Sequence, residues 1–454
     1  PENPAAGSGF WYLVRGSSFC GDGPYGVQGL HGLPSTPRVT TTCAAFCGGA
    51  GLCDDSNACT VDSCNQATGQ CEHTTSLTDS DGDRLADCVE TNTGIYVSST
   101  NTGTNPNSSD TDGDAIQDGD EVLGTLAGLN LPAMGASPLK KNILLEYDWF
   151  DDNNDSGTCA AHTHRPTQAM LDRTSAAFAA APVANPDGTT GITLIHDYGQ
   201  GGPFTGGNFV ADADGVIAGG VNSADFQAIK TANFAGNRQG YVHYVLLPHR
   251  YNLTSDSSGQ AELPGNDLIV SLYCFSGTIN TSNTIMHELG HNLFLRHGGS
   301  TNCNWMPNYN SVMNYRYQFP GIDSDTSCNA IGSNGEANIL NYSIGSRLSL
   351  NENALNETAG VCGGPAIDWN GNSVIENPVV YDLNRQGTSP FDTPDPDQTI
   401  LCGATLSTLN DYNDWANLVF TGLTDGDRAQ PLVRPLIDCD NPTLPRIVAP
   451  EWMP

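Results

Sequence analysis

Three histidines near the middle of the chain constrain its fold more than any other feature. They lie in the stretch HELGHNLFLRH, as His287, His291 and His297. Side chains four residues apart lie one above the other on a helix, so His287 and His291 can bind one metal ion. His297 is six residues further on, so the helix must end and the chain turn back for it to join them. The motif therefore predicts a helix, a tight turn and a Zn²⁺ site with three imidazole ligands.

The residue after the first histidine predicts catalysis at this site. Three protein ligands leave one coordination position open for water, which is typical of catalytic rather than structural zinc. Zinc lowers the pKa of such a water towards about 7. Glu288, one step round the helix from His287, can reach this water without binding the metal. We expect Glu288 to act as the general base in the hydrolysis of a peptide bond.

The motif resembles the zinc-binding signature of the metzincin peptidases. The later stretch SVMNYRY resembles their Met-turn, and this implies that Met313 forms a floor beneath the histidines. It also implies that Tyr315 lies beside the metal, as a fifth ligand or an oxyanion donor. With GNDLIVSLY, RHGG and nearby acidic repeats, residues 139–348 are similar to secreted bacterial peptidases near the pappalysin group. The resemblance implies that the strand DLIVSLY is the sheet edge that binds extended substrates.

Phe294 departs from the metzincin pattern, which has Gly at that position. Glycine there allows a positive φ, which ends the helix and directs the third histidine to the metal. We expect Phe294 to adopt a similar turn at a cost of about 1 kcal/mol or more. The ligands and Glu288 are unchanged, so the departure affects the turn and not the chemistry.

Residues 139–348 are predicted to form an α+β, zincin-like catalytic domain, with a twisted mixed sheet and two long helices. Strands are expected at KNILLEYDWF, GITLIHDY, YVHYVLLPH and NDLIVSLY, and helices at RPTQAMLDRTSAAFAAAP, SADFQAIKTANF and TSNTIMHELGHNLFLRH. Disulfide-rich and calcium-loop segments flank this domain.

Two acidic segments before the catalytic domain predict Ca²⁺ sites. DSDGDRLADCVE and DTDGDAIQDGDE place carboxylates at the same relative positions, where alternating side chains can surround one hard cation. The predicted ligands are Asp79, Asp81, Asp83, Asp87 and Glu90 in the first segment, and Asp110, Asp112, Asp114, Asp118 and Glu121 in the second. Glycine at position 4 makes both similar to thrombospondin type 3 repeats. A solvated acidic linker is the alternative.

A weaker calcium-like pattern occurs near residue 370, in a region that resembles EF-hand or dockerin loops. Its candidate ligands are Asp368, Asn370, Asn372 and Glu376. A surface turn built from Asn, Asp and Gly explains the same pattern equally well. A separate pair, His162 and His164, could bind a second metal, although a loop pair that anchors Arg165 is the alternative favoured by the sequence.

The chain is predicted to have four parts. Residues 1–75 form a Cys-rich, disulfide-stabilised segment, which could also act as an inhibitory segment; residues 76–138 carry the calcium repeats; residues 139–348 form the catalytic domain; and residues 349–454 form a C-terminal region. Fifteen cysteines and the absence of an initial Met indicate a processed protein that is secreted or held at the cell surface.

Charge limits the partners. Acidic residues outnumber basic residues 50 to 17, for a formal net charge of −33, which argues against nucleic acid and anionic membranes. No apolar run reaches the roughly 20 residues of a membrane span. We expect protein or peptide substrates, with basic ones favoured, and the sequence does not indicate an oligomeric state. The alternative function is a calcium-dependent structural or adhesive protein on an inactive metzincin scaffold.

Overall fold

The computed structural model describes two compact units, one at residues 1–92 with 97–107 and one at residues 93–96 with 108–454. The described residues are 53–151, 161–251, 257–323, 328, 339–385 and 401–420, without 66, 213 and 276, plus isolated strand residues 17–18, 21–22, 27–28, 36–37 and 436–438. The cysteines before residue 53 lie outside these ranges.

The first unit is built from short antiparallel strand pairs. These are β1 (Ser17–Ser18) with β2 (Gly21–Asp22), β3 (Val27–Gln28) with β4 (Thr36–Pro37), and β5 (Thr60–Cys64) with β6 (Cys71–Thr75). Disulfides Cys53–Cys71 and Cys59–Cys88 cross-link the last hairpin. The side chains of β6 are exposed throughout, so the cross-links hold a segment that buries little apolar surface.

The second unit contains all six helices of the described chain. They are α1 (Asp118–Leu123), α2 (Leu131–Met134), α3 (Gln168–Ala179), α4 (Ala224–Asn233), α5 (Thr278–Asn292) and α6 (Tyr315–Gln318). Thr167 caps α3 by accepting a hydrogen bond from the Met170 N–H, and Ser223 caps α4 in the same way through the Phe226 N–H. None of the helices within the described ranges is long and apolar enough to cross a membrane.

A mixed sheet forms the centre of the second unit, as predicted. Its strands are β7 (Asn142–Trp149), β8 (Thr193–Asp197), β9 (Val242–Leu247), β10 (Gly259–Glu262), β11 (Asp267–Val270) and β14 (Leu436–Asp438). β12 (Leu350–Asn351) and β13 (Thr408–Leu409) form a separate two-stranded sheet. The spatial order is β14-β10-β11-β9-β7-β8. β8, β7, β9 and β11 are parallel, whereas β10 is antiparallel to both neighbours.

Helices cover both faces of this sheet, which explains the continuous apolar run in β7. Ile143 and Leu145 face a core shared with α3 and α5. Leu144 faces a second core, which includes Phe226 of α4. Alternate residues of β7 therefore pack against helices on opposite faces of the sheet. Helix α5, which carries His287 and His291, packs on the same face as α3.

The family resemblance places the strand DLIVSLY, which contains β11, at the edge of the sheet, and this prediction is wrong. β11 pairs with β9 on one side and with β10 on the other, so it is an interior strand. No strand pattern marks β10 in the sequence, because Gly259, Gln260, Ala261 and Glu262 are weak strand formers. β10 forms as the hairpin partner of β11, and β14 pairs with its outer side.

Two disulfides connect the segments that follow α5. Cys303 is bonded to Cys402, and Cys328 to Cys362. Beyond residue 349, the described residues contain little regular structure besides β12, β13 and β14. The cross-links therefore hold loop segments against the core.

Candidate active site

Helix α5 carries the first two histidines of the motif into the interior. His287 and His291 are fully buried, and their ring centroids are 4.8 Å apart. The His287 Nδ1–H donates to the Val312 carbonyl at 2.8 Å, and the His291 Nδ1–H donates to the Leu295 carbonyl at 2.7 Å. These bonds place the proton of each neutral ring on Nδ1.

The two Nε2 atoms are therefore lone-pair acceptors, and they face each other at 3.2 Å. Burial lowers the pKa of His287 to about 4 and the pKa of His291 well below its usual value, so both rings are neutral at pH 7. Two facing lone pairs repel each other unless a cation lies between them. Neutral imidazoles with Nδ1 bound to carbonyls are suitable zinc ligands, so the donor set fits Zn²⁺.

The chain leaves α5 through the turn that contains Phe294. The Phe294 N–H donates to the His291 carbonyl at 2.9 Å, and the Leu295 N–H donates to the Gly290 carbonyl at 2.8 Å. This is the hydrogen-bond pattern of a Schellman cap, in which the residue at Phe294 adopts a left-handed conformation. Phe294 has a φ of +76°, so it takes the conformation that we expected from the glycine of the motif.

The turn returns His297 to the other two histidines. Its ring centroid lies 5.3 Å from that of His287 and 4.9 Å from that of His291. The Arg296 N–H donates to the Gly299 carbonyl at 2.7 Å and the Gly299 N–H donates back at 2.9 Å, which fixes His297 in a two-residue loop. Burial lowers the pKa of His297 well below its usual value. One nitrogen of each ring lies within 4.8 Å of the others.

Met313 and Tyr315 both lie next to the histidines. A Cβ on Gly290 would collide with the sulfur of Met313, so the Met313 side chain packs directly against α5 between the two ligand positions. The Tyr315 ring centroid lies 4.4 Å from His297 and 5.8 Å from His287. The structure thus places Met313 against α5 and the Tyr315 ring beside His287 and His297.

Glu288 is fully buried and lies against the first residue of β10. A Cβ on Gly259 would collide with Glu288 Oε1 and would lie 2.7 Å from Glu288 Cδ. The carboxylate therefore reaches the strand at the outer part of the sheet, and a glycine leaves the space that it occupies. Glu288 follows the proposed ligand His287 in the sequence, and its Oε1 lies against β10, the strand with which β14 pairs.

Three further residues support the site and have no motif in the sequence. Gly259 accommodates Glu288. Asn292 donates through Nδ2 to the Glu262 and Asp267 carbonyls, both at 3.1 Å, and so ties α5 to the β10–β11 hairpin. Asp414 accepts hydrogen bonds from Tyr309 Oη at 2.8 Å and Ser311 Oγ at 2.6 Å, just before Met313. Burial raises the pKa of Asp414 to about 7.

The two acidic loops share one backbone conformation. Asp79 Oδ1 accepts from the Gly82 N–H and Asp110 Oδ1 accepts from the Gly113 N–H, both at 2.7 Å. Both glycines have a positive φ. The carboxylates of Asp87 and Asp118 each bind the backbone and hydroxyl groups of position 2, Ser80 and Thr111.

The second loop is attached to the first strand of the sheet. Asn142 donates to Asp114 Oδ2 through its backbone N–H at 2.6 Å, and to Glu121 Oε1 through Nδ2 at 2.8 Å. Asp112 Oδ2 and Glu121 Oε2 are buried and accept no hydrogen bond from a described residue. Burial, with neighbouring carboxylates, raises the pKa of Asp112 to about 9, that of Asp114 to about 7 and that of Glu121 well above its usual value.

In the first loop, Asp83 and Glu90 are buried while Asp79 is exposed. Both oxygens of Asp81 are buried and accept no hydrogen bond from a described residue. The first loop thus has a buried carboxylate at Asp81, as the second loop has at Asp112. One carboxylate oxygen of each of Asp79, Asp81 and Asp83 lies within 4.8 Å of the others.

The weaker pattern at Asp368 has the same turn. Asp368 Oδ1 accepts from the Gly371 N–H at 2.8 Å and from the Asn372 N–H at 3.1 Å. Asn370 Oδ1 also accepts from the Asn372 N–H, at 3.0 Å. Glu376 is exposed, whereas Glu90 and Glu121 at the ends of the other loops are buried. The third loop therefore lacks a buried closing carboxylate at Glu376.

Comparisons with known proteins give little beyond this geometry. Residues 52–75 match a family model described as a Dictyostelium (slime mold) repeat. No curated protein sequence matches the chain significantly. The crystal structure of archaemetzincin from Methanopyrus kandleri is similar at 16% sequence identity with a TM-score of 0.21, over 39% of this chain and 81% of that chain. A TM-score this low does not establish a shared fold.

Proposed function

We propose that this chain is a zinc-dependent endopeptidase with the ligands His287, His291 and His297. The observation that carries the proposal is the pair of buried Nε2 lone pairs that face each other at 3.2 Å, with the third imidazole and Glu288 beside them. Glu288 is fully buried, and because burial of a carboxylate is costly, a catalytic role explains its position better than an inactive scaffold does. The ligand set leaves room for a water or substrate oxygen.

When bound, zinc supplies Lewis-acid chemistry, since it lowers the pKa of water towards about 7 and polarises a carbonyl. Glu288 accepts the proton of the attacking water and passes it to the leaving amine. Tyr315 donates its phenol hydrogen to the carbonyl oxygen as that oxygen gains negative charge. Met313 supports the helix beneath His287 and His291, and the carbonyls of Val312 and Leu295 hold the two rings in one tautomer.

The substrate class follows from the strand next to Glu288. β10 pairs in antiparallel register with an extended segment of the chain itself, Gln260 opposite Asp438 and Glu262 opposite Leu436. An extended peptide can form the same backbone pairing, and it would then pass Gly259 and the Glu288 carboxylate. The formal net charge of −33 favours basic peptides. β14 has to leave this edge before a substrate can bind there.

The test is zinc reconstitution of the full chain. We expect a metal-free sample to be inactive on unstructured peptides, and activity to return with the first zinc ions bound at His287, His291 and His297. His291→Ala, which removes one ligand, should stay inactive at every zinc concentration. Mass spectrometry of the products identifies internal cleavage. Equal cleavage by the metal-free and the zinc-loaded chain would contradict the proposal.

We also propose that the loops at residues 79–90 and 110–121 bind Ca²⁺, with the ligands drawn from the ten carboxylates predicted there. The buried oxygens of Asp81, Asp112 and Glu121 that accept no hydrogen bond from a described residue support it, as does the raised pKa of Asp112. A cation would offset this crowding of negative charge. The loop of Asp368, Asn370, Asn372 and Glu376 is a weaker site of the same kind.

Calcium binding has a thermal test. Ca²⁺ that binds the folded chain alone raises its unfolding temperature through ligand linkage. We expect verified calcium removal to lower the melting temperature by several degrees, and Asp112→Asn to reduce that difference. An unchanged melting temperature would contradict calcium binding.

The location that we propose is outside the cell. The disulfides Cys53–Cys71 and Cys59–Cys88 support it, since disulfides persist in oxidising compartments.

A further inference from the structure

A second group of three histidines lies at the carboxyl ends of β7 and β9. Thr163 forms an antiparallel bridge with Asp151, just past β7. The His164 N–H donates to the Phe150 carbonyl at 3.0 Å. Residues 162–164 are therefore extended, and alternate side chains of an extended segment project to the same side. His162 and His164 thus point together, and Thr163 points away.

The third histidine comes from a neighbouring strand. His249 follows β9, which runs parallel to β7, and the Phe150 N–H donates to the Leu247 carbonyl at 3.0 Å. The register places His249 beside the pair on residues 162–164. His249 is fully buried, His164 is buried and His162 is half-buried. His249 is 85 positions from His164 in the sequence, so only the sheet topology brings it to the pair.

The three rings form nearly the same triangle as the proposed catalytic ligands. Their centroids are 4.6 Å apart for His162 and His164, 5.1 Å for His164 and His249, and 5.5 Å for His162 and His249. The corresponding catalytic distances are 4.8, 4.9 and 5.3 Å. One nitrogen from each ring lies within 4.8 Å of the others, and His164 Nε2 is 2.9 Å from His249 Nδ1.

The two arginines that adjoin this group in the sequence, Arg165 and Arg250, both stack on aromatic rings. The Arg250 guanidinium stacks 3.6 Å above the Tyr273 ring. The Arg165 guanidinium lies 5.0 Å from the Trp149 ring and 5.6 Å from the Tyr198 ring. Arg165 is thus held by aromatic rings, so the loop-anchoring role that the sequence favours for His162 and His164 is not needed to place it.

We propose that His162, His164 and His249 bind a second divalent transition-metal ion, with zinc as the natural occupant. Imidazole nitrogens suit zinc, copper or nickel rather than calcium or magnesium. The ion would link residues 162–164 to the ends of β7 and β9, and its binding free energy would add to the stability of that end of the sheet. This site needs no peptidase activity in order to exist.

Zinc counting tests the proposal on the full chain. Protein saturated with Zn²⁺ and freed of weakly bound ions, in a calcium-containing buffer that fills the carboxylate loops, should hold two zinc ions per chain by plasma mass spectrometry. His249→Ala should hold one and still cleave peptides. His162→Ala, at a half-buried position that tolerates change, should also hold one. Thr163→Val, whose side chain points away, should hold two and serves as the matched control.

The two proposals fail separately in this assay. His291→Ala removes the proposed catalytic ion and should leave one zinc, whether or not the chain cleaves peptides. A wild-type chain that holds a single zinc lost in His291→Ala would overturn the second site. So would His162→Ala and His249→Ala chains that fold and keep the full zinc count, because the three rings would then be a hydrogen-bonded cluster.

Discussion

Replacing Gly259 by Ala tests whether the space beside Glu288 is set by β10. The added Cβ would collide with Glu288 Oε1, and it would lie 2.7 Å from Glu288 Cδ, where ordinary contact begins at 3.4 Å. To bring its nearer oxygen to an ordinary contact distance, the carboxylate must therefore move by about 1 Å. A misplacement of about 1 Å at a reacting group can cost roughly 100-fold in rate. We expect Gly259→Ala to lower kcat by about 10- to 100-fold.

The assay is steady-state cleavage of a fluorogenic peptide, together with zinc content and melting temperature. The atoms nearest to the added Cβ belong to Glu288 and to the Ile269 carbonyl rather than to a histidine of the motif, so the zinc content should stay at the wild-type value. Gly236→Ala is the matched control, since a Cβ there meets no atom within 4 Å. A folded Gly259→Ala chain with wild-type kcat would refute the reasoning, because Glu288 would then tolerate displacement or take no part.

Three further predictions concern the turn, the Met-turn support and the sheet edge. Phe294→Gly should retain activity. Phe294→Val should have a free energy of unfolding at least about 1 kcal/mol lower than that of Phe294→Gly, because a β-branched residue is strained at φ +76°. Equal thermal stability of the two variants would contradict the strain. Burial raises the pKa of Asp414 in the folded state to about 7, from a usual value of 3.8, so between these two pH values the folded state holds a proton that the unfolded state has lost. The free energy of unfolding should therefore fall as the pH rises from about 4 to 7, by on the order of 4 kcal/mol. In melting experiments Asp414→Asn should lose this component of the pH dependence, and an identical profile for both chains would refute it. Ile437→Pro should weaken the pairing of β14 with β10, because proline cannot donate a backbone hydrogen bond. It should raise kcat/KM for extended peptides several-fold relative to the control Ile437→Thr. An unchanged kcat/KM would show that β14 does not compete with substrate.

The sequence predicts the backbone geometry of the histidine motif better than it predicts the strands around it. The spacing of His287 and His291 requires a helix, and α5 provides it. Phe294 was the residue least compatible with the motif, yet its positive φ follows from the same requirement that the chain turn back towards His297. Local spacing constrains backbone conformation strongly here, because a single turn of helix and one reversal determine where three side chains meet.

What the sequence could not predict depends on contacts between distant segments. β10 has a strand conformation because β11 offers a hairpin partner, although Gly259 and Gln260 have weak strand propensity. Asp414 supports the segment before Met313 from about a hundred residues away. His249 joins His162 and His164 only through the parallel pairing of β7 and β9. No periodicity or motif in a single sequence records such pairings.

The central claim is that Glu288 acts on a zinc site formed by His287, His291 and His297. The most direct measurement compares casein cleavage by the zinc-loaded wild-type chain and by Glu288→Gln, which keeps the size of the side chain and removes its charge. Both samples should have the same zinc content. We predict that Glu288→Gln loses at least about 100-fold in kcat, since general-base catalysis contributes about 10²–10⁴-fold. Equal cleavage by the two chains at equal zinc content would contradict the account.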